Sequence, residues 1–293
     1  MFQLPPELVE TLAVVIDAGS FDAASRRLHI TPSAVSQRIK QLEQIVGRVL
    51  VVRARPVRAT DAATPLVRYA RELALLEQDA LATFEQGSST FSLPLAVNAD
   101  SLATWFLAPL GRLAARLPVV FDIHRDDQEF TADLLESGAV MGAVTSRSDP
   151  VTGCSVSALG AMRYLAVATS EAFERWFADG VTVAALENAP VIDFDRRDDL
   201  QARWLMDRGV DPRRPPRHRM PASSEYQAAT YMGLGWALLT VEQAADGLED
   251  GSLRLLGGAP MDVPLYWQQW MLRSTLLDDV AREIVAEGQR VLL

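Results

Sequence analysis

The sequence is short of the residues on which much enzyme chemistry depends. Cys154 is the single cysteine, so no internal disulfide can form, which fits a reducing compartment. The three histidines, His29, His124 and His218, lie far apart and in no metal-ligand spacing, and Cys154 has no histidine beside it in sequence to form a nucleophilic pair. Lys40 is the only lysine, so no glycine-rich loop ends in the lysine of a phosphate site. Gly233-Leu234-Gly235-Trp236 accordingly reads as a turn into a strand. Nothing here supports catalysis, a metal or a cofactor; the chain is expected not to be an enzyme. No apolar run approaches the roughly 20 residues that span a bilayer, and Met1-Phe2-Gln3-Leu4-Pro5-Pro6 lacks the basic stretch of a secretory signal. A cytoplasmic location and no membrane partner are expected.

What is present is an ordinary globular composition, 49% hydrophobic and 23% charged over 293 residues. That length suits about two or three domains with substantial cores. The net charge of −10 sits badly with a nucleic-acid partner until it is divided. Residues 1–60 hold eight cations against five carboxylates, a net of +3, so the remaining chain carries −13. A modest basic module is thus joined to an acidic body. With charges screened over about 8–10 Å, the basic end can approach phosphate while the body repels it. Such a balance points to specific binding by a small module rather than to a protein that coats nucleic acid.

The basic module has a legible pattern. Ala23, Ala24 and Leu28 give a short helix with a closely packable face, after a first helix over Leu4 to Ala18 carrying Leu8, Leu12 and Val15. Thr31 supplies an N-cap hydroxyl and Pro32 the preset φ of a first helical position, so another helix starts there. Its apolar residues Val35, Ile39, Leu42 and Val46 form one stripe of a 3.6-residue period. Ser33, Gln37, Lys40 and Gln44 fall on the opposite side, with Ser36 and Gln41 flanking. Hydroxyls, amides and an ammonium suit a major groove, where amides and cations read base edges and hydroxyls hold phosphates. Gly47 can end the helix, and two short strands, 49–52 and 57–60, flank Arg53-Ala54-Arg55-Pro56 as an arginine-tipped wing. A helical hairpin whose polar face merely meets water shares this periodicity. The Thr-Pro cap, the short preceding helix and the basic wing favour a winged helix-turn-helix on DNA, with Thr31, Pro32, Ser33, Ser36, Gln37, Arg38, Lys40, Arg53 and Arg55 as candidate contacts.

Ala18-Gly19-Ser20-Phe21, Ala23-Ala24, Leu28, Ser33, Val35-Ser36, Ile39, Leu42-Glu43, Gly47, Leu50, Arg53 and Thr60 together resemble the N-terminal domain of LysR-type transcriptional regulators. The chain departs from that pattern at Val51, where the family usually has Phe, and at Ala63, where Gly is usual. Neither change removes an expected DNA contact.

Beyond the wing, residues 61–86 are rich in Ala, Leu, Glu and Arg, with Leu66, Tyr69, Leu73, Leu76, Ala80 and Phe84 approximating a heptad seam. The seam can pack on the chain's own body or on a second copy. The resemblance implies the latter, a linker helix of a homodimer or homotetramer reading two half-sites. A polar hinge, 86–90, follows. Strands and helices then alternate: strands at 93–97, 119–124, 139–144, 163–168, 191–194 and 236–240, and helices at 102–117 and 131–137. This is an α/β body, expected to hold mostly parallel strands. It resembles the family's two-lobed, periplasmic-binding-protein-like effector domain. The domains expected are thus 1–60, 61–92 and 93–293, with lobe one about 93–165 plus 265–293 and lobe two about 166–264.

In such a body ligands bind beyond the carboxyl ends of strands. Asn98-Ala99-Asp100-Ser101-Leu102-Ala103-Thr104-Trp105 follows the first strand. There Ser101 and free backbone N–H groups suit a carboxylate and Asp100 suits an ammonium, the two ends of an amino acid; an ordinary Asp-Ser cap has the same sequence. Asp126 and Asp127 with Glu129 after the second strand, and Thr145 after the third, occupy further strand ends. Asp193 and Phe194, and Glu225 in Ser223-Ser224-Glu225, do so in the other lobe. So many carboxylates favour a cationic ligand, because unpaired buried carboxylates are costly. With Gly142-Ala143-Val144, Asp198-Asp199 and Leu265-Tyr266-Trp267, these stretches resemble the lysine/arginine-responsive (LysG/ArgP-like) subgroup of the family, which controls basic amino-acid export. The resemblance spans nearly the whole chain. It implies a lysine, arginine or histidine effector that closes or re-angles the lobes, double-stranded DNA and RNA polymerase as partners, and regulation of an exporter gene. Two alternatives are a ligand-independent architectural or replication-inhibiting DNA-binding protein, and an enzyme autoregulated by its DNA-binding head.

Overall fold

The computed structural model describes residues 4–82, 90–125 and 131–293. In chain order the elements are α1 (Pro6–Ala18), α2 (Phe21–Arg27), α3 (Pro32–Val46), β1 (Val51–Val52), β2 (Arg58–Ala59), α4 (Thr64–Ala82), β3 (Phe91–Val97), α5 (Ala99–Thr104), α6 (Leu107–Ala114), β4 (Val119–Arg125), α7 (Thr131–Glu136) and β5 (Gly142–Thr145). There follow β6 (Cys154–Thr169), α8 (Ser170–Phe177), α9 (Val183–Asn188), β7 (Val191–Asp193), α10 (Leu200–Met206), β8 (Arg217–Arg219), α11 (Ser223–Tyr231), β9 (Ala237–Thr240), α12 (Val241–Glu249), β10 (Leu253–Leu255), β11 (Met261–Trp270) and α13 (Thr275–Val291). They form two compact units. The first comprises Met1–Val97, Leu110–Ser157 and Trp267–Ile284; the second comprises Asn98–Pro109, Ala158–Tyr266 and Val285–Leu293.

Local chemistry sets the helices of the first unit. Pro6 opens α1 and Gly19 closes it at φ 65, the left-handed region that favours glycine. A Cβ at Gly19 would also stand 3.1 Å from the Cβ of Pro56. The Ser20 hydroxyl caps α2 by accepting from Ala23 N at 3.1 Å. Thr31 caps α3 by accepting from Ala34 N at 3.2 Å, Pro32 takes the first helical position, and Gly47 closes the helix at φ 71. Leu8, Leu12 and Val15 of α1 and Val35, Ile39 and Leu42 of α3 share one buried cluster with Leu50 and Val67. Each such side chain contributes about 1.5–3 kcal/mol by leaving water. The wing is shorter than expected, with only the pairs Val51↔Ala59 and Val52↔Arg58.

β3 runs parallel to both β4 and β5, Leu95 standing against Ile123 and Gly142. The helix expected over 102–117 is two helices, because Trp105 and Phe106 leave the helical path to be buried edge to face, with ring centroids 5.6 Å apart. The break puts Pro109 in the first turn of α6, where its missing N–H costs nothing.

In the second unit β6 pairs antiparallel with β9 and β10, and β7 parallel with β8. The body is therefore less parallel than the alternating pattern implies. Val167, Ile192, Tyr226, Ala237, Leu239 and Ala244 form part of this unit's core. β11 is absent from the sequence-based expectation, because Pro264, Gln268 and Gln269 are poor strand formers. Gln268 is nonetheless fully buried; its amide accepts from Val151 N at 2.8 Å and donates to the carbonyls of Arg147 (2.9 Å) and Asp149 (3.0 Å).

Candidate functional site

The head presents a polar face with a rigid back. Val35, Ile39 and Leu42 are fully buried, which leaves Ser33, Gln37 and Lys40 exposed on the other side of α3 and Ser36 half-buried beside them. Thr31 and Pro32 are exposed at its start, where the Thr31 and Ser33 hydroxyls are 2.9 Å apart. Arg38 sits to the side, half-buried, donating to the Thr11 hydroxyl of α1 at 3.3 Å. Its guanidinium is thus partly engaged in fixing α3 against α1. The wing is tied to the same helix by Glu43, whose carboxylate accepts from Leu50 N at 2.9 Å. Arg53 stacks 5.4 Å over the Phe21 ring and Arg55 is exposed at the tip. An exposed amide and ammonium on a helix held from behind, with guanidinium groups on an adjoining hairpin, can read a groove and its flanking phosphates.

A second constellation lies wholly within the second unit. Asp100, in the first turn of α5, accepts from the Ser223 hydroxyl at 2.6 Å with one carboxylate oxygen and from the Tyr164 hydroxyl at 2.9 Å with the other. Gln243 Nε2 donates to the Ser223 hydroxyl at 2.9 Å. Tyr164 is buried, and burial first, then the charge of Asp100, raise its hydroxyl well above the ordinary range for tyrosine. Ser101 is fully buried and its Oγ has no hydrogen-bond partner among the described residues. A buried hydroxyl in that state costs about 1–3 kcal/mol unless a ligand or water meets it. Leu102 is half-buried alongside.

The other expected effector residues fare differently. Asp193 is buried and both its oxygens accept from Arg217 Nη1, at 2.5 and 2.7 Å. Its charge is thus paired with that of Arg217 within the same unit. Burial nonetheless holds its carboxyl above the usual range. Phe194 is half-buried and its N–H donates to Asp198 Oδ2 at 3.1 Å. Glu225 is exposed and accepts from the neighbouring Ser224 hydroxyl at 2.9 Å. Thr145 belongs to the first unit, fully buried, its hydroxyl accepting from Arg147 N at 3.2 Å. Asp126 and Asp127 lie outside the described residues, as do Phe84 and most of the expected hinge. Sequence reasoning missed Tyr164 and Ser223 as partners of Asp100, and Gln243 as the partner of Ser223, since each is more than 60 positions away from Asp100. No group of three or more His, Cys, Asp or Glu among the described residues is placed to hold a metal, and no helix among them is long and apolar enough to cross a membrane.

A winged helix-turn-helix followed by an α/β body with a carboxylate held in a strand-to-helix turn defines a DNA-binding regulator. The chain belongs to the LysR family: residues 6–64 match the bacterial regulatory helix-turn-helix protein, lysR family, and residues 92–289 match the LysR substrate binding domain. It is 41% identical over 292 residues to the lysine export transcriptional regulatory protein LysG of Corynebacterium glutamicum, covering 97% of this chain and 99% of that one. Among solved structures, ArgP from Mycobacterium tuberculosis superposes with a TM-score of 0.85 at 43% identity, covering 99% of both chains. Full-length LysG from C. glutamicum with bound effector arginine gives a TM-score of 0.77 at 38% identity, again covering 99% of both.

Proposed function

We propose that this regulator senses a basic amino acid, lysine, arginine or histidine, and controls the gene of an amino-acid exporter. The observation that carries the reading is the Asp100–Ser101 turn. An anion held by two hydroxyls stands next to a buried hydroxyl with no partner among the described residues, the pairing needed for the ammonium and carboxylate of an amino acid. Leu102, Phe194 and Glu225 of the same unit are further contacts in this reading, and the acidity of the body favours a cation. Similarity to a regulator named for lysine export and to one holding arginine supports the same choice. In this reading residues 1–60 are the DNA-binding head, 61–92 the linker through which copies of the chain associate, and 93–293 the effector-binding part, in a cytoplasmic protein that acts with RNA polymerase.

Thermal shift of the purified protein against the twenty amino acids tests the proposal. Lysine or arginine at 100 times its dissociation constant adds about 2.7 kcal/mol of stability. Leucine and glutamate leave the melting temperature unchanged, and Asp100→Ala abolishes the shift without weakening DNA binding. Equal shifts with leucine or glutamate overturn the cationic effector. No shift with any amino acid leaves the ligand-independent DNA-binding protein as the better reading.

A further inference from the structure

The loop after β7 holds a carboxylate that the sequence does not single out as a ligand. Asp198 accepts from Phe194 N with Oδ2 and from Leu200 N with Oδ1, each at 3.1 Å, so the chain on both sides fixes its position. The nearby Gln201 side chain helps to hold the Asp198 carboxyl down, and Gln201 Nε2 donates to the Tyr226 hydroxyl at 2.8 Å. Ser223, which donates to Asp100, and Tyr226, which accepts from Gln201, stand three residues apart on α11, so one face of that helix serves both groups, and the charges of Asp198 and Asp100 both help to raise the Tyr164 and Tyr226 hydroxyls. Within this group Gln201 is 2% exposed and its Oε1 has no hydrogen-bond partner among the described residues. A buried amide oxygen unmet among the described residues is an acceptor awaiting a donor. Two of the cations nearby are engaged elsewhere: Arg217 holds Asp193, and Arg197 lies 3.5 Å from Asp195.

We propose that Asp198 is a second anionic contact for the effector, accepting its cationic side chain and giving up a proton when it does so. This rests on the basic amino-acid reading above and adds to it a coupling to pH. The proton comes from the fraction of Asp198 that is neutral in the empty protein and passes to solvent, while the guanidinium or ammonium of the effector enters already charged. The groups facing Asp198 reinforce the neutral form before the effector arrives. Burial is the largest influence and the charge of Asp193 adds to it, outweighing the two backbone N–H groups and Gln201, so that the carboxyl rises to about 6. Asp100 accepts from the Tyr164 hydroxyl, and both phenols stay protonated because burial raises them. Gln201 Oε1 becomes a further acceptor for the incoming N–H groups. A neutral amino acid supplies no charge to displace the proton and gains nothing from this carboxylate.

Titration calorimetry of the full-length protein with L-arginine and L-lysine, at pH 5 to 8 and in two buffers of different ionisation heat, reads both parts of the proposal. The wild-type protein is expected to release about half a proton on binding at pH 6, close to none at pH 8, and to lose affinity about tenfold per pH unit below pH 6. Asp198→Asn is expected to abolish that buffer dependence and to weaken arginine at least tenfold at pH 7.5, while Asp198→Glu restores part of both. Tight binding with no proton exchange at pH 6 overturns the proposal on the wild-type protein alone, whatever the variants do. Binding of arginine to Asp198→Asn with wild-type affinity overturns it as well. Absence of binding by either amino acid at every pH removes the effector reading and this inference with it.

Discussion

Burial decides what each acidic residue of the second unit can do. Asp193 and Asp198 stand five positions apart, yet one has a guanidinium and the other has only N–H donors. Arg217→Met would leave the Asp193 charge buried and alone, and is expected to destabilise the protein by about 3–5 kcal/mol in denaturant unfolding. Asp198 has the opposite signature. Its folded carboxyl titrates near 6, above the ordinary value of about 3.9, so its stabilising contribution is complete below pH 4 and is lost as pH rises through 6. Between pH 4.5 and 7.5 the stability of Asp198→Asn relative to wild type should therefore improve by about 2 kcal/mol, read from urea midpoints without effector. A flat difference across that range contradicts the raised carboxyl. Neither role is visible in the string Asp193-Phe194-Asp195-Arg196-Arg197-Asp198, because the partner that separates them, Arg217, arrives 24 positions after Asp193.

Elements differ in how much of themselves the sequence reveals. The recognition helix was legible from local chemistry alone, since Thr31, Pro32 and Gly47 fix its ends and a four-residue stripe fixes its buried side. Gln37→Ala is expected to relax preference at one base pair by about 1–3 kcal/mol in competition footprinting. Arg55→Ala in the wing should weaken all sequences alike and lower the salt slope by about one. β11 was illegible because the buried Gln268 becomes acceptable only when distant backbone groups bind it. α4 was legible as a helix, but its periodic seam serves two surfaces. Leu66, Tyr69 and Leu73 pack against the core of the head, whereas Leu76 and Leu81 remain 48% and 46% exposed. Leu76→Asp is therefore the substitution expected to dissociate the oligomer while leaving the head folded, as sedimentation and circular dichroism would report. A variant that sediments as wild type moves the interface off this helix.

Across the whole molecule, charge and reactive groups are unevenly distributed. A head of net +3 on an otherwise acidic chain confines attraction for DNA to one end. The two-part plan of head and α/β body was legible from the change of period after residue 60. The assembly of the second unit from three separate stretches of chain was not, since no local signal tells Asn98–Pro109 to join Ala158–Tyr266. The same unevenness has a practical side for anyone labelling the protein. Lys40, the sole lysine, is exposed on the polar face of α3, and its amine is the only one on any side chain. A brief pulse of an amine-directed acylating reagent should leave a single side-chain adduct, at Lys40, and operator DNA should suppress it while arginine without DNA leaves it untouched. Intact-mass spectrometry then turns occupancy of the operator into one peak ratio, with no mutation or dye required.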